Sequence, residues 1–195
     1  MGWLRMPETW FTSDTHFAHG LVAGLRGFDT PEAHDEAVVR TWNKHVKPAD
    51  RVWLLGDVSL RKFDAWAHHV RRLNGHIQLV TGNHDHAHTG FKNANARTFT
   101  DYASVFETVQ QFARVKHHGK MMVLSHYPYD DSHPGDTQAQ WRPRDVGNPV
   151  LHGHTHSTEK VSFSACGTPQ LHVGWDAWGR PVRFHEIVAL LKGEE

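Results

Sequence analysis

Five short apolar stretches in this chain each run straight into a polar turn, and this ordered series limits the possible folds more than any other feature. Thr9-Trp10-Phe11-Thr12 leads into Ser13-Asp14-Thr15-His16, and Arg51-Val52-Trp53-Leu54-Leu55 leads into Gly56-Asp57. Ile77-Gln78-Leu79-Val80-Thr81 leads into Gly82-Asn83-His84-Asp85, Met121-Met122-Val123-Leu124 into Ser125-His126, and Val150-Leu151 into His152-Gly153-His154-Thr155-His156. Short apolar runs bounded by glycine and turn residues read as buried strands. Helical patterns separate the early runs. Thr30 reads as an N-cap, with Pro31 at the first helical position and Glu32 in the first turn of a helix reaching about Val46. From Lys62 onward, Phe63, Trp66, Ala67, Val70 and Leu73 share one helical face, and Asn74-Gly75 ends it. Two hairpins follow, one turning at His117-His118-Gly119-Lys120 and one at Cys166-Gly167-Thr168-Pro169. A helix from about Phe184 to Leu191 closes the chain. Strand and helix alternate in the first half, so the fold class is α/β and layered.

Composition narrows the function classes. The 195 residues fit one domain, 1–195, and 38% are of the apolar types. Lys+Arg and Asp+Glu balance at 21 each, so the charge gives no broad footprint for duplex DNA or an anionic membrane. No apolar run approaches the length of a membrane span. The segment Met1 to Pro7 has no apolar core of a secretory signal, and Met6 stands where a myristoylation signal needs Ser or Thr. The single cysteine, Cys166, forms no intrachain disulfide, is expected to be a small buried residue, and favours a reducing, cytoplasmic setting. Trp3, Trp66, Trp175 and Trp178 read as packing residues. One count is abnormal: 19 histidines, nearly as many as all lysines and arginines together. Histidine is the commonest metal ligand and a general acid or base near neutral pH.

The polar turns carry that chemistry. Open α/β sheets place their ligand sites beyond the carboxyl ends of the strands, where Asp14, His16, Asp57, Asn83, His84, His126, His154 and His156 are expected. Carboxylate, amide and imidazole donors together suit Mn, Fe, Zn and similar ions. Alternate residues on an extended segment point the same way, so Asp14/His16 and His154/His156 can each aim two ligands at one place. Individual motifs are weak evidence: with 13 Asp and 19 His, about 1.3 Asp-x-His matches arise by chance. The ordered set, each member at the end of an apolar run, is far less accidental.

This set resembles the calcineurin-like metallophosphoesterases, closest to their short phage and bacterial members. The matching residues are Asp14-Thr15-His16, Gly56-Asp57, Gly82-Asn83-His84-Asp85, His126 and Gly153-His154-Thr155-His156, spread over nearly the whole chain. Thr12-to-His19, Ser125-His126-Tyr127-Pro128 and Val173-Gly174-Trp175-Asp176 are similar to the short members too. The resemblance implies an α/β/β/α sandwich of two mixed sheets flanked by helices. It also implies two divalent metals: one held by Asp14, His16, Asp57 and His156, the other by Asp57, Asn83, His126 and His154, with Asp57 bridging. Such ions lower the pKa of bound water, which supplies hydroxide at neutral pH, and they offset phosphoryl charge. Mn2+ heads the candidates, with Fe, Zn, Co and Ni behind it. His84 is implied as the group that binds phosphate oxygen and protonates the leaving group; Asp85 either orients it or serves the turn. His19 is implied near the ligands, and Arg61 either falls where a phosphate-contacting arginine lies or only begins a helix. The protein-phosphatase branch carries a second Asp where this chain has Leu60, which weakens that reading and leaves His84 without its usual partner.

The long connection from Tyr127 to Pro149 reads as a substrate-facing loop. Its Tyr127, Tyr129, Trp141, Arg142 and Arg144 suggest base stacking and phosphate contacts. The expected activity is therefore a phosphodiesterase on nucleotides, such as a 2′,3′-cyclic nucleotide or a short RNA end, working in the cytoplasm, the host's if the chain is phage-encoded. Expected partners are a small phosphoester or nucleotide and single-stranded RNA, with neither a membrane nor an obligate protein partner. The rival readings are a nuclease, a phosphomonoesterase and a metal-poor interaction scaffold.

Overall fold

A computed structural model describes residues 6–117, 119–130 and 135–193. Met1 to Arg5, with Trp3, and His118 of the first hairpin turn lie outside the described residues.

The expected strands form, and they sort into two sheets. The first has the order β10-β1-β2-β3-β4, built from β1 (Thr9–Thr12), β2 (Arg51–Leu54), β3 (His76–Val80), β4 (Thr108–Gln110) and β10 (Val182–Arg183). β1 to β4 run parallel and β10 antiparallel. The second has the order β5-β6-β7-β9-β8, built from β5 (Ala113–His117), β6 (Lys120–Leu124), β7 (Val150–His152), β8 (Val161–Phe163) and β9 (Pro169–His172). β6, β7 and β9 are parallel, and each flanking strand is the hairpin partner of its neighbour. Both sheets are thus mixed.

The apolar runs are near-continuous because the first sheet is buried on both faces. Trp10, Leu54 and Leu79 point to one core with Val38, Val39 and Trp42 of α2 (Pro31–His45) and Trp66, Ala67 and Val70 of α3 (Phe63–Val70). Their neighbours Phe11, Leu55 and Val80 point to the opposite core, where they meet Met122, Leu124, Leu151 and Leu171 of the second sheet and Ile187 of α6 (Phe184–Lys192). Strand alternation alone produces this division, since successive side chains leave opposite faces.

α2 starts as its sequence indicates. Thr30 Oγ1 accepts the Ala33 N–H at 3.2 Å, a cap worth about 1 kcal/mol. α3 ends earlier than its apolar face suggests. After Val70 the chain tightens, with Arg72 N–H bonding His69 O and Leu73 N–H bonding Val70 O, both at 3.0 Å, before Gly75 turns it at φ +98°. Three further helices, α1 (Gly20–Leu25), α4 (Ala96–Ala103) and α5 (Trp175–Trp178), fall in stretches the periodicity leaves unassigned. α4 carries a local signal nonetheless: Asn95 and Thr98 form a reciprocal capping box. Cys166 departs from expectation. It sits on the β8–β9 turn and is exposed, because that turn projects beyond both cores. Among the described residues, no helix is long and apolar enough to cross a membrane.

Candidate metal centre

Parallel strands deliver the polar turns to one edge. Asp14 follows β1, Asp57 follows β2, Asn83 follows β3, His126 follows β6 and His154 follows β7. The local geometry differs from the extended alternation expected for Asp14/His16 and His154/His156. Asp14, His16, Asp57, His154 and His156 all adopt left-handed backbone, with φ of 57°, 47°, 54°, 68° and 52°. Each such non-glycine residue costs roughly 1 kcal/mol or more, so surrounding contacts must impose the conformation. They do. Asp14 N–H bonds Gly56 O at 2.9 Å, His16 N–H bonds Asp57 O at 3.1 Å, and Phe17 N–H bonds Val58 O at 2.8 Å, which zips the first two turns together. Asp85 is fully buried and accepts the N–H groups of Gly82 at 2.8 Å and of Asp57 and Val58 at 3.0 Å each. It braces the turns that carry Asp57 and Asn83, which is the turn role rather than the orientation of His84.

Two glycines keep the turns close. A Cβ on Gly82 would stand 2.3 Å from Asp57 Oδ1, and one on Gly153 would stand 2.3 Å from Asp14 Oδ2. Neither position has room for a side chain.

The ligand atoms converge. Asp14, His16 and His156 offer three atoms within 4.8 Å of one another, as do Asp14, Asp57 and His126. His16 Nε2 and His156 Nε2 face each other at 3.1 Å. Asp57 looks both ways: Oδ1 lies 3.5 Å from His126 Nε2, and Oδ2 lies 3.8 Å from His16 Nε2. Asn83 Oδ1 reaches His126 Nε2 at 3.1 Å. His154 places its ring 5.1 Å from that of His126 and its backbone N–H on Asp14 Oδ2 at 3.2 Å. Mixed carboxylate, imidazole and amide donors aimed at shared points are the donor set that borderline divalent cations take, so the residues present fit such ions.

The charges are consistent with this. Burial opposes ionisation of Asp14, yet His126 and His156 outweigh it and hold the carboxyl below the usual range. The same balance, with His126 leading the attraction, keeps Asp57 far below that range. Burial lowers His16 and His154 to about 4 each, so both rings are neutral and present lone pairs. Burial and the neighbouring Asp57 carboxylate push Asp85 up to about 7, against the pull of its backbone donors.

A supporting layer lies behind the ligands, and sequence reasoning assigned it no role. Asp176 Oδ2 bonds His156 Nδ1 at 2.8 Å, which leaves His156 Nε2 for the site. Arg26 grips Asp176 with two bonds of 2.8 Å and also donates to the Asp14 carbonyl at 2.8 Å. The hydrogen bond that His156 donates to Asp176 raises it above the usual histidine value. Asp176 was visible in the sequence within Val173-Gly174-Trp175-Asp176; Arg26 carried no signal. Asp136 carried none either, although its carboxyl lines the same cavity as Asp57, Asn83 and His84 and stands 3.4 Å from His154 Nε2.

The remaining expected site residues divide. His84 stands at the mouth, with its side chain 41% exposed, its N–H on Asp57 Oδ1 at 3.0 Å and its Nε2 3.9 Å from Asp57 Oδ2. His19 caps α1 by accepting the Val22 N–H at 3.1 Å, with its ring 5.7 Å from that of His16. Arg61 is exposed and bonds the Ala18 carbonyl at 3.3 Å. The long connection is different. Tyr127 is buried, with its hydroxyl 3.3 Å from His88 Nε2, and offers no free ring face for stacking. Trp141 packs edge-on to His88 and against Gly90. Arg142 is almost buried and donates to the carbonyls of Pro128 and Asp130 and to the Asp136 carboxylate. Tyr129 donates to Asn148 O at 2.7 Å. These groups hold the connection in place, because a loop this long has many backbone carbonyls to satisfy. Of the expected contacts there, Arg144 alone is exposed.

The fold and this edge of converging carboxylates and histidines define an α/β/β/α protein with a candidate site for divalent metal. Residues 9–168 match the model of the calcineurin-like phosphoesterase superfamily domain, and the chain belongs to that superfamily, whose members generally depend on divalent metal. It is 37% identical to the Gene 66 protein of Mycobacterium phage L5 over 95% of each chain. It is 36% identical to the Gene 66 protein of Mycobacterium phage D29 over 93% of this chain and 94% of that one. Among solved structures it is similar to a protein of unknown function from Aquifex aeolicus, with a TM-score of 0.67 and 23% identity, covering 95% of this chain and all of the other.

Proposed function

We propose that this chain is a phosphodiesterase whose site holds two divalent cations, one among Asp14, His16, Asp57 and His156 and one among Asp57, Asn83, His126 and His154. The observation that carries this reading is the orientation of Asp57: one oxygen is turned toward His126 and the other toward His16, as a shared carboxylate requires. Two cations there supply a water-derived nucleophile at neutral pH and offset the charge on phosphoryl oxygens. Mn2+ is the first ion to try.

The chain's own groups supply the rest. Neutral His16 and His154 present lone pairs, and the left-handed turns fix their directions before any ligand arrives, which avoids reorganisation during reaction. His84, half in solvent beside Asp57, is placed to bind a phosphoryl oxygen and pass a proton to the leaving oxygen. Asp176, pinned by Arg26, keeps the His156 ring in register. The relationship to phage proteins and the lone, exposed Cys166 support a phage-encoded enzyme of the host cytoplasm. The case for a nucleotide substrate loses the support of Tyr127 and Trp141, which pack on His88 and Gly90, and of Arg142, which is engaged within the loop.

The test is a panel of diesters, monoesters, 2′,3′- and 3′,5′-cyclic nucleotides and short RNA and DNA, assayed with Mn, Fe, Zn, Co and Ni. Asn83→Ala is expected to lower metal content and to cut diester hydrolysis by about 100-fold or more. His84→Ala is expected to spare metal content and slow turnover about 100-fold or more. Preference for a monoester would replace the diester assignment. No hydrolysis of any ester with any of these ions would remove the catalytic reading and leave a scaffold.

A further inference from the structure

An arginine side chain has five N–H donors, and each of those on Arg26 meets an acceptor. Nε bonds Asp176 Oδ1 at 2.8 Å, and Nη2 bonds Asp176 Oδ2 and the Asp14 carbonyl, both at 2.8 Å. Nη1 bonds the Thr15 carbonyl at 3.4 Å and His34 Nε2 at 3.1 Å. The guanidinium thus joins the left-handed turn at Asp14 to the carboxylate behind His156. His34 is fully buried on α2. A guanidinium only donates, so His34 Nε2 must accept, which places the ring proton on Nδ1. That proton meets Asp35 Oδ1 at 2.9 Å. Asp35 is buried too; its Oδ2 takes the N–H of Ala18 at 2.8 Å and stands 3.3 Å from His69 Nε2. α2 therefore reaches the segment 14–18 twice, through Asp35 directly and through His34 by way of Arg26.

We propose that His34 and Asp35 are positioning residues for the cation placed among Asp14, His16, Asp57 and His156. Asp35 selects the His34 tautomer, His34 supplies the acceptor that keeps Arg26 turned, and Arg26 holds Asp176 and with it His156. The proposal rests on the two-cation reading and extends it to a buried line behind the site. The line is sensitive to atom type. An asparagine at position 35 offers one acceptor and an NH2 group, so its oxygen serves Ala18 or His34 but not both. With the NH2 toward His34, the ring proton must move to Nε2, where it would face an Arg26 N–H. Either way a buried donor is left without an acceptor, inside this line.

The test is a double-mutant cycle of Asp35→Asn with Asp176→Asn, read by Mn2+ titration with a metal-ion indicator and by the 15N shifts of the imidazole rings. Asp35→Asn is expected to weaken Mn2+ binding about tenfold. The double variant is expected to stay within about threefold of Asp176→Asn alone, because both changes act through one carboxylate. Parent affinity in Asp35→Asn, or a double variant weakened by the product of the two single effects, would overturn the proposal. So would a parent in which the His34 proton sits on Nε2. Should Asp35→Asn fail to fold, His34→Gln and His34→Phe decide. Glutamine keeps a donor toward Asp35 and an acceptor toward Arg26 and is expected to bind Mn2+ within about threefold of the parent, whereas phenylalanine removes both and is expected to bind about tenfold more weakly; equal affinities in the two would overturn the proposal. Asp50→Asn is the control. That buried carboxylate accepts the Glu8 and Lys47 N–H groups and Trp10 Nε1 at the opposite edge of the first sheet, and its loss is expected to lower stability with Mn2+ affinity unchanged. A tenfold loss there would make Mn2+ a reporter of general stability and overturn the proposal. If the parent binds no divalent cation, the two-cation reading fails, and the line is judged by the His156 ring alone: its 15N shifts are expected to change in Asp35→Asn, and unchanged shifts would overturn it.

Discussion

The two flanks of the metal centre contrast in what they leave free. The connection from Tyr127 to Pro149 is rich in residues that recognise ligands, yet Tyr127, Tyr129, Trp141 and Arg142 are engaged with the loop's own backbone, with His88 and with Gly90. The α1 flank is built from leucine and valine, which no motif search singles out, yet Leu21 and Leu25 stand open beside His156. Residue type describes what a side chain can bind. Availability depends on whether its hydrogen-bonding groups and ring faces are already matched, and a long loop has first claim on its own polar residues.

Arg142→Ala gives the largest effect that separates the flanks. Removing a nearly buried guanidinium that serves two carbonyls and a carboxylate is expected to cost about 3 kcal/mol in urea unfolding. Unchanged stability with a raised KM would mean that Arg142 contacts substrate, and the contrast would collapse. Asp176→Asn acts on the α1 side. It weakens the brace on His156 and is expected to reduce metal affinity about 10- to 100-fold, read by titration with a metal-ion indicator. Unchanged affinity would make Asp176 a partner of Arg26 only. The smallest effect is that of Tyr129→Phe, which removes one hydrogen bond to Asn148 O and is expected to cost about 1 kcal/mol with KM unaltered.

Much of the framework was legible. The apolar runs located five strands, Thr30-Pro31 located the start of α2, and Phe63 to Val70 located α3. These signals are local: a strand buried on both faces must be apolar along its length, and a helix start needs its cap. α4 was missed because its capping box is exposed and its apolar residues are few, and β4 and β10 because strands of three and two residues carry no period. At the centre, the residue types and their order marked Asp14, His16, Asp57, Asn83, His126, His154 and His156 as a set. The backbone that presents them was misread, since alternation on an extended strand and alternation through left-handed turns give the same spacing in sequence.

The sequence by itself determined which side chains stand at the ends of the strands, because strand boundaries, caps and glycine turns are fixed by neighbours along the chain. Only the tertiary structure decided which of them are open to a ligand. Arg26 reaches Asp176 across the fold, Asp136 enters from the far side, and Arg142 turns inward to carbonyls that no local pattern could assign to it. Those pairings join residues distant in the chain, and burial and hydrogen-bond matching, which depend on the whole packed structure, select them.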